Sequence, residues 1–279
     1  MEENRQAEEK RGGSMNVRIG FIGCGNMAGA MIGGILKKKL VASDNMMASA
    51  KTRETVERAS EQFGISVTQN NIEVAEFSNI LVLAVKPVYM EEVIREIADH
   101  VKEDAIIVTL APEKTLQWLK DTFGRKVKVV RSMPNTPAFV GEGMTAVCPN
   151  EFVTAEDLSV VKEIFESFGR CEVVKETMMD VVTGVSGSSP AYAFLFIEAL
   201  ADAAVHDGMP RKQAYEFAAQ TLLGSAKMVL ETGKHPGELK DMVCSPGGTT
   251  IEAVRVLEEK GFRSAVMEAT LACIEKAGQ

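Results

Sequence analysis

Histidine is scarce in this chain: there are three, His100, His206 and His235, widely separated. Mechanisms that need a histidine triad, or a metal site built from several imidazoles, have almost no raw material. Basic charge is also in short supply, with 31 Lys and Arg against 39 Asp and Glu and a formal net charge of −8. Such a chain repels a phosphate backbone unless its bases gather in one patch, and only Lys37 to Lys39 cluster. Nucleic acid is therefore not an expected partner. Paired cysteines are missing too: Cys24, Cys148, Cys171, Cys244 and Cys273 are odd in number, far apart and without a C-x-x-C pair. That pattern fits reduced thiols in a cytoplasmic protein, not a disulfide framework. The uncharged run from Ile19 to Leu36 reaches the length of a membrane span but carries six glycines and starts like a strand. The basic residues follow it, the reverse of a signal peptide, so no membrane association is expected.

What is present is ordinary for a folded soluble protein: 46% hydrophobic and 25% charged residues. The length of 279 residues accommodates two domains. Residues 1 to 14 are polar and charged, and read as a disordered tail or an expression remnant. From Val17, β-branched runs alternate with amphipathic stretches, predicting strands at 17–22, 45–49, 65–67, 79–84, 105–110 and 127–131. Helices are predicted between them at 26–39, 52–63, 88–101 and 114–122. That alternation implies a mainly parallel, Rossmann-type α/β sheet with helices on both faces. A Pro- and Gly-marked loop from Met133 to Gly143 leads to a strand at 144–148, a helix at 154–168 started by Thr154, and a strand at 171–174. After about Glu176 only helices are predicted, near 177–185, 190–207, 210–231, 236–243, 249–260 and 262–276. The expected organisation is a dinucleotide-binding domain at 15–176 and an all-α domain at 177–279.

The first strand runs directly into Gly23-Cys24-Gly25-Asn26-Met27-Ala28, a G-x-G-x-x-A dinucleotide fingerprint. Gly23 suits a tight turn, Gly25 close approach of a pyrophosphate, and Ala28 close helix packing; the helix start offers N–H groups and a positive dipole. The end of the second strand, Ala48 to Arg53, has no acid for a ribose hydroxyl. Ser49, Lys51 and Arg53 could instead receive a 2′-phosphate, which favours NADP(H) over NAD(H) without excluding the latter. Lys51 and Arg53 could equally be solvated residues at a helix start. At the end of the strand 79–84, Ala84-Val85-Lys86-Pro87 lies on the carboxyl edge of the sheet, where Pro87 biases Lys86 toward an extended backbone suited to bordering the nicotinamide ribose.

In the second domain the informative stretch is Ser245-Pro246-Gly247-Gly248-Thr249-Thr250-Ile251-Glu252. Thr249 followed by Glu252 reads as a capping box, leaving the Thr250 hydroxyl free in the first turn. The glycines and the helix start would accept a small anion such as a carboxylate, although a well-capped helix after a turn explains the same residues. Gly184 to Tyr192 reads as a Gly/Ser loop with Ser189 as cap and Pro190 in the first turn.

Taken together, Gly20 to Ala28, Leu83 to Pro87, Met133-Pro134-Asn135-Thr136-Pro137, Val182 to Gly187, Pro190-Ala191-Tyr192, His235-Pro236-Gly237 and Ser245 to Thr250 give the chain a resemblance to the pyrroline-5-carboxylate reductases over residues 16 to 276. The resemblance implies NAD(P)H-dependent reduction of L-1-pyrroline-5-carboxylate to L-proline in the cytoplasm. It also implies a helical domain that forms a homodimer, often assembled further. By matching position, Thr250 would face the ring nitrogen as the catalytic hydroxyl. Ser245, Gly247, Gly248 and Thr249 would belong to the substrate carboxylate site, and Asn71 and Ala84 to Pro87 would contact the cofactor. Ala50, Ser189 and Ala111-Pro112 depart from residues common in the family. A β-hydroxyacid dehydrogenase is a rival reading, but it looks for a lysine shortly after the Gly-rich helix start, and none follows Gly187 before Lys212. A non-catalytic NADP sensor is a third, and it would not need the Ser245 to Thr250 loop.

Overall fold

The computed structural model describes residues 15–111 and 113–279. The expectations for residues 1 to 14 and for Pro112 lie outside the described residues. Two compact units result, one running through Gly187 and the other comprising Ser188–Gln279.

The first unit is built on one eight-stranded sheet: β1 (Ile19–Ile22), β2 (Met46–Ser49), β3 (Ser66–Thr68), β4 (Ile80–Leu83), β5 (Ile106–Thr109), β6 (Lys128–Met133), β7 (Gly143–Pro149) and β8 (Gly169–Val173). The spatial order is β3-β2-β1-β4-β5-β6-β7-β8. β1, β4 and β5 are buried at every residue. Parallel strands covered on both faces read as unbroken apolar runs, which is why these three were conspicuous in the sequence. The helices are α1 (Asn26–Lys37), α2 (Arg53–Phe63), α3 (Asn71–Phe77), α4 (Met90–Ile97), α5 (Leu116–Phe123), α6 (Ala155–Glu166) and the short α7 (Met179–Val182). Ile19 and Phe21 of β1 pack with Met31, Ile32 and Ile35 of α1 and with Phe165 and Phe168 on one face. Ile22, Leu81 and Leu83 pack with Ile94, Ile97, Leu119 and Phe123 on the other.

Three local features differ from the sequence reading or were left open by it. α3 falls where no element was expected; its cap is Asn70, whose Oδ1 accepts the Ile72 N–H at 3.0 Å. β7 runs antiparallel to β6, because the link between them is only a 3-10 turn over Thr136–Val140 and a parallel return needs a crossover of a dozen residues or more. The stretch from Gly184, read as the start of a Gly/Ser loop, belongs to a π-helical turn over Thr183–Gly187 that continues α7. Helical geometry already surrounds Ser189, whose backbone sits at φ −65° and ψ −16° with no side-chain cap. Residues 176–187 pack against the sheet, past the expected boundary. Arg131 on β6 donates to Glu176 at 2.9 Å, the Leu116 N–H donates to the same carboxylate at 2.7 Å, and Asn135 Nδ2 donates to the Ser186 carbonyl at 3.0 Å.

The second unit is all helix: α8 (Pro190–His206), α9 (Arg211–Thr232), α10 (Pro236–Val243), α11 (Thr249–Glu259) and α12 (Phe262–Ala277). Its own interior is thin. Among the described residues of this unit only Ala201, Ala214 and Ala218 are buried apolar side chains, while Phe194, Leu195, Phe217, Leu223, Met267 and Leu271 are each more than half exposed.

Candidate active site

The glycine loop lies where β1, β2 and β4 end together. Gly23 takes φ +94°, and a Cβ there would stand 2.7 Å from the Ala84 carbonyl oxygen. The Gly23 N–H donates to the Ser49 carbonyl at 2.9 Å, and the Ala84 N–H to the Ile22 carbonyl at 2.8 Å. Only glycine fits a left-handed residue pressed against backbone in this way. Gly25 has the opposite character: it is the N-cap of α1 in an extended conformation, and a Cβ there would meet nothing within 4 Å. No side chain caps α1 and its first turn holds no acid. Its leading N–H groups, from Asn26 and Met27 onward, therefore lack intrahelical partners and carry the positive end of the helix dipole. Ala28 is buried at 1% exposure, as close packing on the sheet requires. Burial pushes the Cys24 thiol up, with the Arg58 guanidinium pulling the other way, so the loop carries no thiolate at neutral pH to repel an anion. These residues fit the pyrophosphate of a dinucleotide. A cavity of about 630 Å³ also starts at Cys24, Gly25 and Asn26 and continues along α1 to Lys37 and Lys38; Ser49, Lys51 and Ala84 to Pro87 do not line it.

The three side chains considered for a 2′-phosphate have separate fates. Ser49 is fully buried and its hydroxyl donates to Asn71 Oδ1 at 2.8 Å. Asn71 in turn donates from Nδ2 to Glu96 on α4 at 2.7 Å, so Ser49 and Glu96 together hold the Asn71 amide at the start of α3. Arg53 is paired with Glu57 one turn along α2 at 2.6 Å. Lys51 has no carboxylate partner among the described residues; its carbonyl accepts from Gln69 Nε2 at 3.1 Å and its Nζ lies 5.6 Å from the centre of the Tyr89 ring. Lys86 adopts the extended backbone that Pro87 imposes, at φ −61° and ψ 146°, and heads a 3-10 turn over Pro87–Tyr89. Tyr89 and Glu96 were not singled out in the sequence. An exposed aromatic six residues beyond a strand end, and an acid on a surface helix, carry no pattern that marks them.

The second loop differs from the capping-box reading. The Gly248 N–H donates to the Ser245 carbonyl at 3.0 Å, and this turn delivers Gly248, not Thr249, as the extended N-cap of α11. Thr249 is the first helical residue. Glu252 does not reach back to the cap, because Arg255 one turn on claims its carboxylate with contacts of 2.7 and 3.0 Å. A Cβ on Gly248 would come within 2.5 Å of Ser245 Oγ, so the missing side chain makes room for that hydroxyl. Thr250 is half-buried in the first turn, and neither its hydroxyl nor that of Thr249 has a hydrogen-bond partner among the described residues. With no side-chain cap, the start of α11 also keeps N–H groups available for an anion.

The histidines have other tasks. His100 Nδ1 pairs with Glu76 at 2.8 Å, His206 with its neighbour Asp207 at 3.0 Å, and His235 Nδ1 accepts the Gly237 N–H at 3.0 Å as the cap of α10. Among the described residues no three His, Cys, Asp or Glu side chains gather in a way that could hold a metal ion, and no helix is long and apolar enough to cross a membrane.

Comparison with known proteins covers both units. A family described as pyrroline-5-carboxylate reductase dimerisation matches residues 176–279, and one described as NADP oxidoreductase, coenzyme F420-dependent, matches residues 18–113. A pyrroline-5-carboxylate reductase of Escherichia coli K12 is 54% identical over 263 residues, covering 94% of this chain and 98% of its own. The solved structure of a pyrroline-5-carboxylate reductase from Coxiella burnetii superposes with a TM-score of 0.90 at 32% identity, over 95% of this chain and 98% of that one. That of a Plasmodium falciparum pyrroline carboxylate reductase with NADP bound superposes at 0.83 and 33% identity, over the same shares of each chain. With an identity of 54% sustained across both units, the chain belongs to the pyrroline-5-carboxylate reductase family.

Proposed function

We propose that this chain reduces L-1-pyrroline-5-carboxylate to L-proline with NADP(H), the final step of proline biosynthesis, as a cytoplasmic homodimer. The observation that carries the reading is that the likeness to reductases of that name runs through both units and includes both glycine loops. The chemistry suits the residues available. Reducing a cyclic imine needs a hydride on carbon and a proton on nitrogen, and an imine that arrives protonated asks no acid of the protein. When bound, NADPH supplies the hydride. The chain's own work is placement.

Gly23 to Met27 seat the pyrophosphate through backbone N–H groups, and Lys51 neutralises the 2′-phosphate. Asn71, fixed by Ser49 and Glu96, and the Ala84 to Pro87 edge complete the cofactor's contacts. Ser245, Gly247, Gly248 and Thr249 at the start of α11 take the substrate carboxylate, and the Thr250 hydroxyl orients the ring nitrogen. The five free thiols suit a reducing compartment. For the dimer, the support is the apolar surface that α8 to α12 leave uncovered, together with the dimerisation family matched there. A patch of that kind is what a second copy would cover. Turnover is the test: with NADPH and pyrroline-5-carboxylate, loss of the reduced-nicotinamide absorbance should match proline formed one for one. NADPH binding without proline formation would overturn the reading.

A further inference from the structure

We infer that Tyr89 is the platform on which the cofactor's adenine stacks, and that Lys51 guards it, moving from the tyrosine ring to the 2′-phosphate as the phosphorylated dinucleotide binds. The inference rests on the NADP(H) reading above. β1, β2 and β4 end in register, with Ile22 beside both Ser49 and Leu83. The loops after β2 and β4 therefore flank the glycine loop that follows β1. Lys51 stands on one flank and Tyr89 on the other, and their contact at 5.6 Å lies within the roughly 6 Å over which an ammonium is held by an aromatic face.

Both backbones are held by hydrogen bonds, while the interaction of each side chain is with the other. The Lys51 carbonyl is fixed by Gln69, the Tyr89 N–H donates to the Lys86 carbonyl at 2.9 Å, and the next residue, Met90, is fully buried. Tyr89 is 47% exposed as a residue and its hydroxyl has no hydrogen-bond partner among the described residues, so nothing in the core calls for an aromatic here. In folds of this order the ribose of the adenosine half lies at the end of the second strand. The base is attached to the carbon next to the one that bears the 2′-phosphate. A phosphate that draws Lys51 away thus brings a purine beside the face that Lys51 vacates. A dianion is the stronger partner for an ammonium, so the exchange is downhill with a 2′-phosphate. Without one, the base must displace the lysine and nothing receives it.

The probes are 2′,5′-ADP and 5′-ADP, titrated calorimetrically into the full-length protein, with the tyrosine absorbance change followed in parallel. Tyr89→Ala should weaken 2′,5′-ADP about five- to a hundredfold, the usual worth of one stacked base, and Tyr89→Phe should restore it while abolishing the absorbance change. Lys51→Ala should weaken 2′,5′-ADP but bind 5′-ADP as tightly as the unaltered protein, or about two- to fivefold more tightly because the guarding contact is gone. Unchanged binding in Tyr89→Ala, with both probes bound by the unaltered protein, overturns the platform and leaves the NADP(H) reading standing. Weakened 5′-ADP binding in Lys51→Ala overturns the guarding role. An unaltered protein that binds neither probe removes the cofactor reading and the inference together.

Discussion

Gly23 and Gly25 are two residues apart, yet substituting alanine at each should damage different properties. At Gly23 the backbone is left-handed at φ +94° and the new methyl would stand 2.7 Å from the Ala84 carbonyl oxygen and 3.0 Å from the Val85 nitrogen. The left-handed conformation costs an L-residue about 1–2 kcal/mol, and an overpacked contact against backbone adds about 1–3 kcal/mol. Gly23→Ala should therefore lose about 2–5 kcal/mol, lowering Tm by roughly 5–15 °C for a domain of this size, and it should displace the β4 edge at Ala84 and Val85 that is proposed to border the cofactor. At Gly25 the backbone is extended and the added methyl meets nothing. Alanine is a poorer cap than glycine but restricts the unfolded chain more, and these effects offset to leave stability within about 1 kcal/mol of the unaltered protein. The methyl does occupy the open space proposed for the pyrophosphate. Loss of one charge-assisted hydrogen bond there weakens NADPH about ten- to a hundredfold. Thermal unfolding of the ligand-free protein and fluorescence titration with NADPH measure the two properties separately. A Gly25→Ala protein that binds NADPH normally would refute the assignment of this loop, and a Gly23→Ala protein of unchanged Tm would refute the steric argument.

Four further outcomes follow from the geometry. Lys51→Ala should lower kcat/KM for NADPH relative to NADH about tenfold or more, whereas Arg53→Ala, whose guanidinium is already paired with Glu57, should leave that ratio unchanged; equal effects would contradict the division between them. Thr154→Ala, which removes the cap bonded to the Asp157 N–H at 3.1 Å, should cost about 1 kcal/mol. Burial raises the Asp157 carboxyl, but Lys128 and the Thr154 hydrogen bonds override it and hold it below the ordinary value. Asp157 then stabilises the fold above about pH 4 and loses that contribution as pH falls, so Asp157→Asn should be less stable than the unaltered protein at pH 7 and indistinguishable from it in strong acid. Finally, light scattering should find a dimer that Phe217→Asp or Leu271→Asp shifts toward monomer; an unaltered protein that is monomeric at micromolar concentration would contradict the reading of the exposed helical faces.

How far the sequence alone carries depends on where the decisive interaction lies. β1, β4 and β5 were legible because each is buried on both faces and so reads as a short apolar run, and the glycine loop because its two glycines do different steric work at fixed spacing. α3 was not legible: its Asn70 cap and Glu73 sit in a polar stretch that looks like loop, and its two buried residues, Val74 and Ala75, are too few to set up a period. The cap of α11 was misplaced because competition between two local partners decides it, Arg255 taking the carboxylate that a capping box would use. Ser49 was read as a phosphate ligand on residue type, whereas its position on a covered strand turns its hydroxyl to Asn71. Each miss concerns which of several chemically reasonable partners a side chain meets, and that is settled by long-range packing.

The account's central claim is that the protein contributes placement and that the proton arrives on the substrate. The most direct measurement is the pH dependence of kcat/KM for pyrroline-5-carboxylate in the unaltered protein and in Thr250→Val, set beside the titration of the free imine. The account predicts that both profiles turn where the imine itself titrates, with the variant lower by about ten- to a thousandfold. A Thr250→Val protein as fast as the unaltered one, or a profile governed by a titrating protein group in place of the imine, would contradict it.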